Sequence, residues 1–304
     1  MLLFIEQLLN GLQLGIMLFL MSAGLTLVFG IMQVINLAHG SFYMIGAYVG
    51  ATIAARTGSF LLGLMAALPT SALAGMLVEV LVLRRLYKKE HLDQVLATFG
   101  LIMFFNELTR IVWGRQPLFM DVPPWLSGSV EILPGVPYPS YRIAVIAVGI
   151  MVAVLLYLLF TRTRLGMQIR TGASNREMAG ALGVNIRLLY TLVFGLGTLL
   201  AGLAGVMAGP ILAVEAGMGE SVLILTFVVI VIGGIGSIRG ALLGALLVGM
   251  VDTLGRAFLP MLLRTVLSAA YADGVAASLA SMSVYILMAA ILVWRPRGFL
   301  PGVN

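Results

Sequence analysis

Residues 142–160 read RIAVIAVGIMVAVLLYLLF, and the chain then continues TRTRLGMQIRTGASNREMAGALGVNIR over 161–187. The first stretch holds one charged residue, at its edge, and is as long as the roughly 20 apolar residues that a membrane-crossing helix needs. The second carries Arg162, Arg164, Arg170, Arg176 and Arg187, the longest polar interruption on its side of the membrane. An apolar span emptying into a basic connection is the repeating unit of a multi-span membrane protein. Eight further windows of the first kind lie near 8–30, 36–56, 61–83, 95–113, 190–210, 221–236, 238–258 and 279–294. The expected fold is an all-α, polytopic transmembrane helical bundle of eight or nine spans, forming one membrane domain over 1–304.

Composition requires the same solvent. Only 10% of the 304 residues are charged and 61% are hydrophobic, with a mean hydropathy of +1.10, where soluble domains carry roughly a quarter charged residues. Too few polar side chains exist to cover a water-facing exterior. The 36 glycines fall inside apolar runs, where small residues let membrane helices approach closely. No cysteine is present, which excludes disulfides, thiolate nucleophiles and cysteine-ligated metals. The formal charge of +6 is dispersed in short clusters between spans rather than along one stripe, so it speaks for membrane orientation and anionic lipid, not nucleic acid. Residues 1–10 carry Glu6 and no Lys or Arg, so the first span is expected to be retained rather than cleaved as a signal peptide.

Two regions interrupt the apolar pattern. In 30–60 and 221–258, glycines together with Asn36, His39 and Arg239 break the runs, the mark of broken or re-entrant helices. Phe29-Gly30 through Gly46-Ala47-Tyr48-Val49-Gly50 is weakly echoed by Ile232-Gly233 through Gly244-Ala245-Leu246-Leu247-Val248-Gly249. Two segments read as extramembrane: 114–141, with six prolines, and 259–278, with room for a short surface helix. Twelve Lys and Arg residues, Arg84, Arg85, Lys88 and Lys89 among them, fall on the side of the 161–187 connection, and six fall on the other. The excess assigns the first side to the cytoplasm, so 161–187 is a cytoplasmic loop and 114–141 an extracytoplasmic one.

Within the cytoplasmic loop, Ser174-Asn175-Arg176-Glu177 fits a capping box, with Ser174 at the N-cap and Glu177 three residues on. A helix of about two turns through Ala179 would then stop at Gly183 in a left-handed conformation. A short rigid helix flanked by arginines suits a cytoplasmic partner; the alternative is a surface helix whose arginines meet anionic headgroups.

Asn36 and His39 are polar groups within a span, which on insertion scales is costly for a charge by roughly 2.5–3.5 kcal/mol. They read either as a helix cap, with Asn36 capping, or as part of a translocation path or its gate. Gly236, Gly240 and Gly244 recur every four residues and form a helix-packing face, as do Ala201, Gly205 and Gly209. Glu79 is expected to pair with a nearby base, and Asp252 with Arg256 one turn on. No catalytic residue, metal site or cofactor is expected. The two histidines stand far apart, carboxylates are not paired for acid–base work, and GIGSIRG at 234–240 has the wrong spacing for a dinucleotide loop.

The stretches GLTLVFGIMQVINLAHGSFYMIGAYVG at 24–50, VVIVIGGIGSIRGALLGALLVG at 228–249 and the WRPRGFLPG ending at 294–302 resemble the permease family of high-affinity branched-chain amino-acid importers. Glu177-Met178-Ala179-Gly180-Ala181-Leu182-Gly183 resembles the coupling-loop pattern of ABC importer permeases, with Met178 where many have alanine. The resemblance implies a permease subunit in a bacterial inner membrane, with Ser174, Glu177, Ala179 and Gly183 in an ATPase-coupling helix. It implies as partners two ABC ATPase subunits, a second related permease subunit and an extracytoplasmic amino-acid-binding protein. The chain has no G-x-x-x-x-G-K-[ST] loop, so hydrolysis falls to those partners. Urea or a short amide is the alternative substrate. An ion-gradient-driven transporter or channel would call for intramembrane acids or rings of charge, which the central spans scarcely have.

Overall fold

A computed structural model describes residues 2–87, 89–265 and 267–300. Lys88 and the last two residues of the WRPRGFLPG ending lie outside them. Each of the nine apolar windows holds a helix: α1 (Leu2–Met32), α2 (His39–Thr57), α3 (Phe60–Val78), α5 (His91–Trp113), α6 (Ser140–Arg162), α9 (Ile186–Ala208), α10 (Met218–Gly233), α11 (Ile238–Leu263) and α12 (Ala269–Trp294). A five-residue π-helical turn, Glu79–Leu83, joins α3 to the short α4 (Arg84–Leu86). Among the described residues, seven helices are long and apolar enough to cross a membrane, fewer than the eight or nine spans expected. The two that fall short are α2, and α10 with its 16 residues. Both lie in the segments 30–60 and 221–258, whose sequence marked broken or re-entrant helices, and the breaks at Gln33–Ala38 and Gly234–Ser237 delimit them.

Helix α1 is central: 83% of its most apolar window is buried, against 22% for α5, α6 and α12. It packs against α6, α9, α10 and α11. The outer helices present large apolar side chains such as Phe104, Ile111, Met151 and Ile286 to the exterior, as hydrocarbon solvent permits and water does not. Close approach between the inner helices rests on glycine. A methyl group on Gly46 would enter the backbone of Gly202, and one on Gly205 the carbonyl of Tyr43.

Both breaks follow local chemistry. After Met32 the chain takes a positive φ of 54° at Gln33, and the Asn36 side-chain oxygen accepts the Ala38 N–H at 3.1 Å. Asn36 therefore forms a two-residue turn ahead of α2 and is not its N-cap, which is Ala38; the short side chain reaches the nearer amide first. Between α10 and α11, Gly234 and Gly236 take φ of 104° and 81°, and Ser237 caps α11 by accepting the Gly240 N–H at 3.0 Å. Gly236 thus lies in the turn and does not share a helix face with Gly240 and Gly244, which pack against the backbones of Gly233 and Val229. The carbonyls freed at the end of α10 are met by Phe299 and Leu300, whose N–H groups donate to Ile232 and Gly233 at 2.9 and 3.0 Å.

The segment 114–139 contains a single turn of 3-10 helix (Pro124–Leu126) and an antiparallel hairpin, β1 (Ser129–Leu133) with β2 (Val136–Pro139), paired from Ser129–Pro139 to Leu133–Val136. Leu118 bridges to Val214 beyond α9, and the Tyr138 hydroxyl donates to Asn10 at 3.2 Å. Residues 259–278, expected outside the membrane, belong mostly to α11 and α12. Arg264, in the turn that follows α11, and Asp273, near the start of α12, pair there at 3.0 and 2.8 Å.

Helix ends gather at two poles. Arg84 meets Thr191 and Arg239 lies over the Tyr157 ring, while at the opposite pole Phe4 meets Phe258. The connection 161–187 and the other basic connections share the first pole, called here the basic end.

Candidate functional site

The connection after α6 folds into two helices, not the single one expected: α7 (Arg164–Ser174) and α8 (Arg176–Ala181). Thr163 caps α7 by accepting the Gly166 N–H at 3.1 Å. Gly166, Ile169 and Gly172 are buried, three residues apart on one face, and this stripe lays α7 against the end of α6 and the start of α9.

The cap of α8 is Asn175, whose side-chain oxygen accepts the Met178 N–H at 2.9 Å. Ser174 closes α7 instead, so the capping box assigned to it is displaced by one residue. Asn175 has the extended backbone (φ −153°, ψ 99°) that a cap requires, whereas Ser174 is still helical. Glu177 then sits in the first turn, where a carboxylate faces the positive end of the helix dipole. At the other end Gly183 has φ 86°. Its N–H donates to Gly180 at 3.0 Å and that of Val184 to Ala179 at 3.1 Å, the paired bonds of a Schellman stop. Ala179 is the buried residue of this helix, while Glu177, Met178 and Leu182 are exposed. Met178 and Leu182, one turn apart and 57% and 72% exposed, give α8 an apolar face on its outer side. This face was missed in the sequence, although the i,i+4 spacing was there to read.

Two residues after the stop, Asn185 caps α9 by accepting the Leu188 N–H at 3.1 Å. Thr191, in the second turn of α9, reaches Glu79 on the π turn. Glu79 has no exposed surface and accepts bonds from Arg84 Nη2 and Nε (2.8 and 3.2 Å), the Tyr87 hydroxyl (2.5 Å) and the Thr191 hydroxyl (2.7 Å). The expected ion pair is present, with two partners that its spacing did not reveal. Burial, then the hydrogen bond to Glu79, raises the Tyr87 phenol above its ordinary range, so Tyr87 serves this site as a donor.

Asn36 and His39 are both fully buried. Among the described residues, the amide nitrogen of Asn36 and both ring nitrogens of His39 meet no hydrogen-bond partner of good geometry. A small cleft passes beside them, between α2, α5 and α10, lined by Leu37, Gly40, Ser41, Asn106 and Glu220 among others. Asn106 donates to Glu220 across it at 2.6 Å. The structure thus brings Glu177, Ala179 and Gly183 into one capped element, leaves Ser174 outside it as the last residue of α7, and leaves Asn36 and His39 apart from it at the α1–α2 break. Among the described residues no group of three histidine, aspartate or glutamate side chains is placed to hold a metal.

A bundle of helices long and apolar enough to span a membrane, packed around a central helix and with a capped helix at its basic end, defines a polytopic membrane protein. The family described as branched-chain amino acid transport system, permease component, matches residues 7–293, and the chain belongs to it. The high-affinity branched-chain amino acid transport system permease protein BraD of Pseudomonas aeruginosa is 31% identical over 98% of this chain and 95% of its own length. The corresponding LivH of Escherichia coli is 30% identical over the same shares. The ribose import permease protein RbsC of Escherichia coli is 28% identical over 77% of this chain and 72% of its own length. No solved structure matches the chain.

Proposed function

We propose that this permease carries leucine, isoleucine and valine inward across a bacterial inner membrane, driven by ATP hydrolysed on two ABC ATPase subunits. In this reading a second related permease subunit completes the membrane core, and an extracytoplasmic amino-acid-binding protein delivers the substrate. The basic end faces the cytoplasm, because twelve of the 18 Lys and Arg residues belong to its connections. The segment 114–141 faces the binding protein.

The observation that carries the reading is α8. It is held between the Asn175 cap and the Gly183 stop, and it exposes Met178 and Leu182 beside Glu177. Apolar side chains at a basic, water-facing pole need a protein partner to cover them. A stiff helix passes a push onward where a loop would absorb it. Ser174, at the α7–α8 junction, and Ala179, buried beneath α8, support the element and do not form its contact face. Asn36 and His39 act at the gate by holding the α1–α2 break beside the cleft; neither lines that cleft itself. Substrate identity rests on the two relatives with branched-chain names, since the sugar permease shares much of the same frame.

The test is uptake of radiolabelled leucine, urea and ribose into vesicles containing the chain, its co-purifying subunits and its binding protein. Leucine uptake that requires ATP supports the proposal. Uptake of urea or ribose in its place replaces the substrate and keeps the mechanism, and uptake driven by an ion gradient alone removes the ATP-coupled reading.

A further inference from the structure

Glu79 and Arg84 are five residues apart. On an α-helix, with 3.6 residues per turn, that spacing turns two side chains to widely separated faces; neighbours are three or four apart. Here the helix between them is wound as a π turn, Glu79–Leu83, and the Arg84 N–H donates to the Glu79 carbonyl, the i→i+5 bond of that conformation. The wider turn brings the guanidinium round to grip the carboxylate through two nitrogens. Such turns are rare and concentrate at functional sites, and this one creates the ion pair.

The pair is joined to α9 through a single hydroxyl. Thr191 accepts from Arg84 Nη2 at 2.7 Å and has one hydrogen to give. Two acceptors stand within reach, Glu79 Oε2 at 2.7 Å and the Arg187 carbonyl of its own helix at 3.0 Å. A donor with two acceptors, one across the helix interface and one within its own helix, has two discrete arrangements. The adjacent residue extends the link. Tyr190 packs edge-on against Tyr87, centroids 5.3 Å apart, and its hydroxyl faces the carbonyl of Ile31 at 3.5 Å, next to the α1–α2 break. Tyr190 and Thr191 lie five and six residues beyond Asn185, which stands two residues after the stop of α8.

We propose that Glu79, Arg84, Tyr87 and Thr191 form a positioning relay that carries movement of α8 into α3 and to the α1–α2 break. The relay rests on the reading of α8 as the ATPase contact. When α8 and the first turns of α9 shift, the Thr191 hydroxyl passes from Glu79 to the Arg187 carbonyl, and the guanidinium–carboxylate pair on the π turn is freed to move with α3.

The assembled transporter, with its ATPases and binding protein in liposomes, is assayed for ATP hydrolysis and leucine uptake on the same sample. Thr191→Val keeps the shape and removes the hydroxyl; it is expected to co-purify with normal ATPase content and to lower leucine carried per ATP roughly fivefold or more, the usual range of coupling between sites. Thr191→Ser restores the ratio. Glu79→Gln, which retains the volume, lowers it as well. A wild-type ratio in both Thr191→Val and Glu79→Gln overturns the relay, as does a parallel fall of uptake and hydrolysis that serine does not reverse. Absence of ATPase from the wild-type assembly is a different result: it removes the ATP-coupled reading, and the relay with it.

Discussion

Gly240 on α11 lies so close to Gly233 on α10 that a methyl group on either would enter the carbonyl of the other. The obstructing atoms are backbone, so no change of rotamer relieves the overlap. Gly240→Ala is expected to destabilise the bundle by about 1–3 kcal/mol, the usual cost of overpacking, and to loosen the Phe299 and Leu300 bonds that close the end of α10. A lower thermal unfolding midpoint in detergent would show it; an unchanged midpoint would mean that the two helices do not cross as described.

Gly100 is the reverse case. It lies within α5, and a methyl group there meets nothing within 4 Å among the described residues. Alanine removes backbone freedom from the unfolded chain at no steric cost, so Gly100→Ala should raise stability by about 0.5–1 kcal/mol. The same detergent assay reads it, and a lower midpoint would reveal an unseen contact on that face.

The displaced cap gives a third test. Asn175→Ala removes the acceptor for the Met178 N–H and should cost α8 about 1 kcal/mol. Ser174→Ala should cost nearly nothing. Amide hydrogen exchange at Met178 and Ala179 is expected to quicken in the first variant and stay unchanged in the second; the opposite pattern would return the cap to Ser174.

These cases mark how far the sequence could be read. Hydropathy placed all nine long helices, because hydrocarbon solvent imposes one composition on every span. It also marked 30–60 and 221–258 as interrupted, since glycine and polar positions within an apolar run are visible locally, and the breaks before α2 and after α10 fall within them. Local rules failed by small amounts where neighbours compete: Asn175 and Ser174 are both good caps, and Asn36 bonded its nearer amide. Gly236 had the spacing of Gly240 and Gly244, but a positive φ puts it in a turn. The hairpin at 129–139 was hidden by its prolines. The partners of Glu79 were illegible for a different reason. Thr191 lies 112 residues away, and the π turn that brings Arg84 round departs from the period on which pattern reading depends.

Asp252 and Arg256 were legible, being one turn apart, and the structure joins them by two bonds of 2.9 Å. The Asp252 side chain is only 10% exposed and the Arg256 side chain 55%. Arg256→Met therefore leaves a buried acceptor unpaired and should cost about 1–3 kcal/mol. Asp252→Asn should cost less, and the double variant should be more stable than the sum of the two predicts. Additive losses in a double-mutant cycle would show that the pair is merely solvated.

Gly183 offers the most direct test of α8 as a working element. Its φ of 86° lies in the left-handed region, which costs an L-residue roughly 1–2 kcal/mol and asparagine less. Gly183→Ala leaves the exposed face of α8 untouched yet strains the turn that places the Val184 N–H on Ala179. Leucine uptake should rank glycine above asparagine above alanine, with Gly183→Pro lowest because proline lacks the N–H that donates to Gly180. Glu177→Ala, by contrast, should reduce ATPase co-purification while leaving the midpoint of unfolding unchanged. If Gly183→Pro and Glu177→Ala both support normal uptake with normal ATPase content, α8 is a surface helix at the headgroups and the ATPases seat elsewhere.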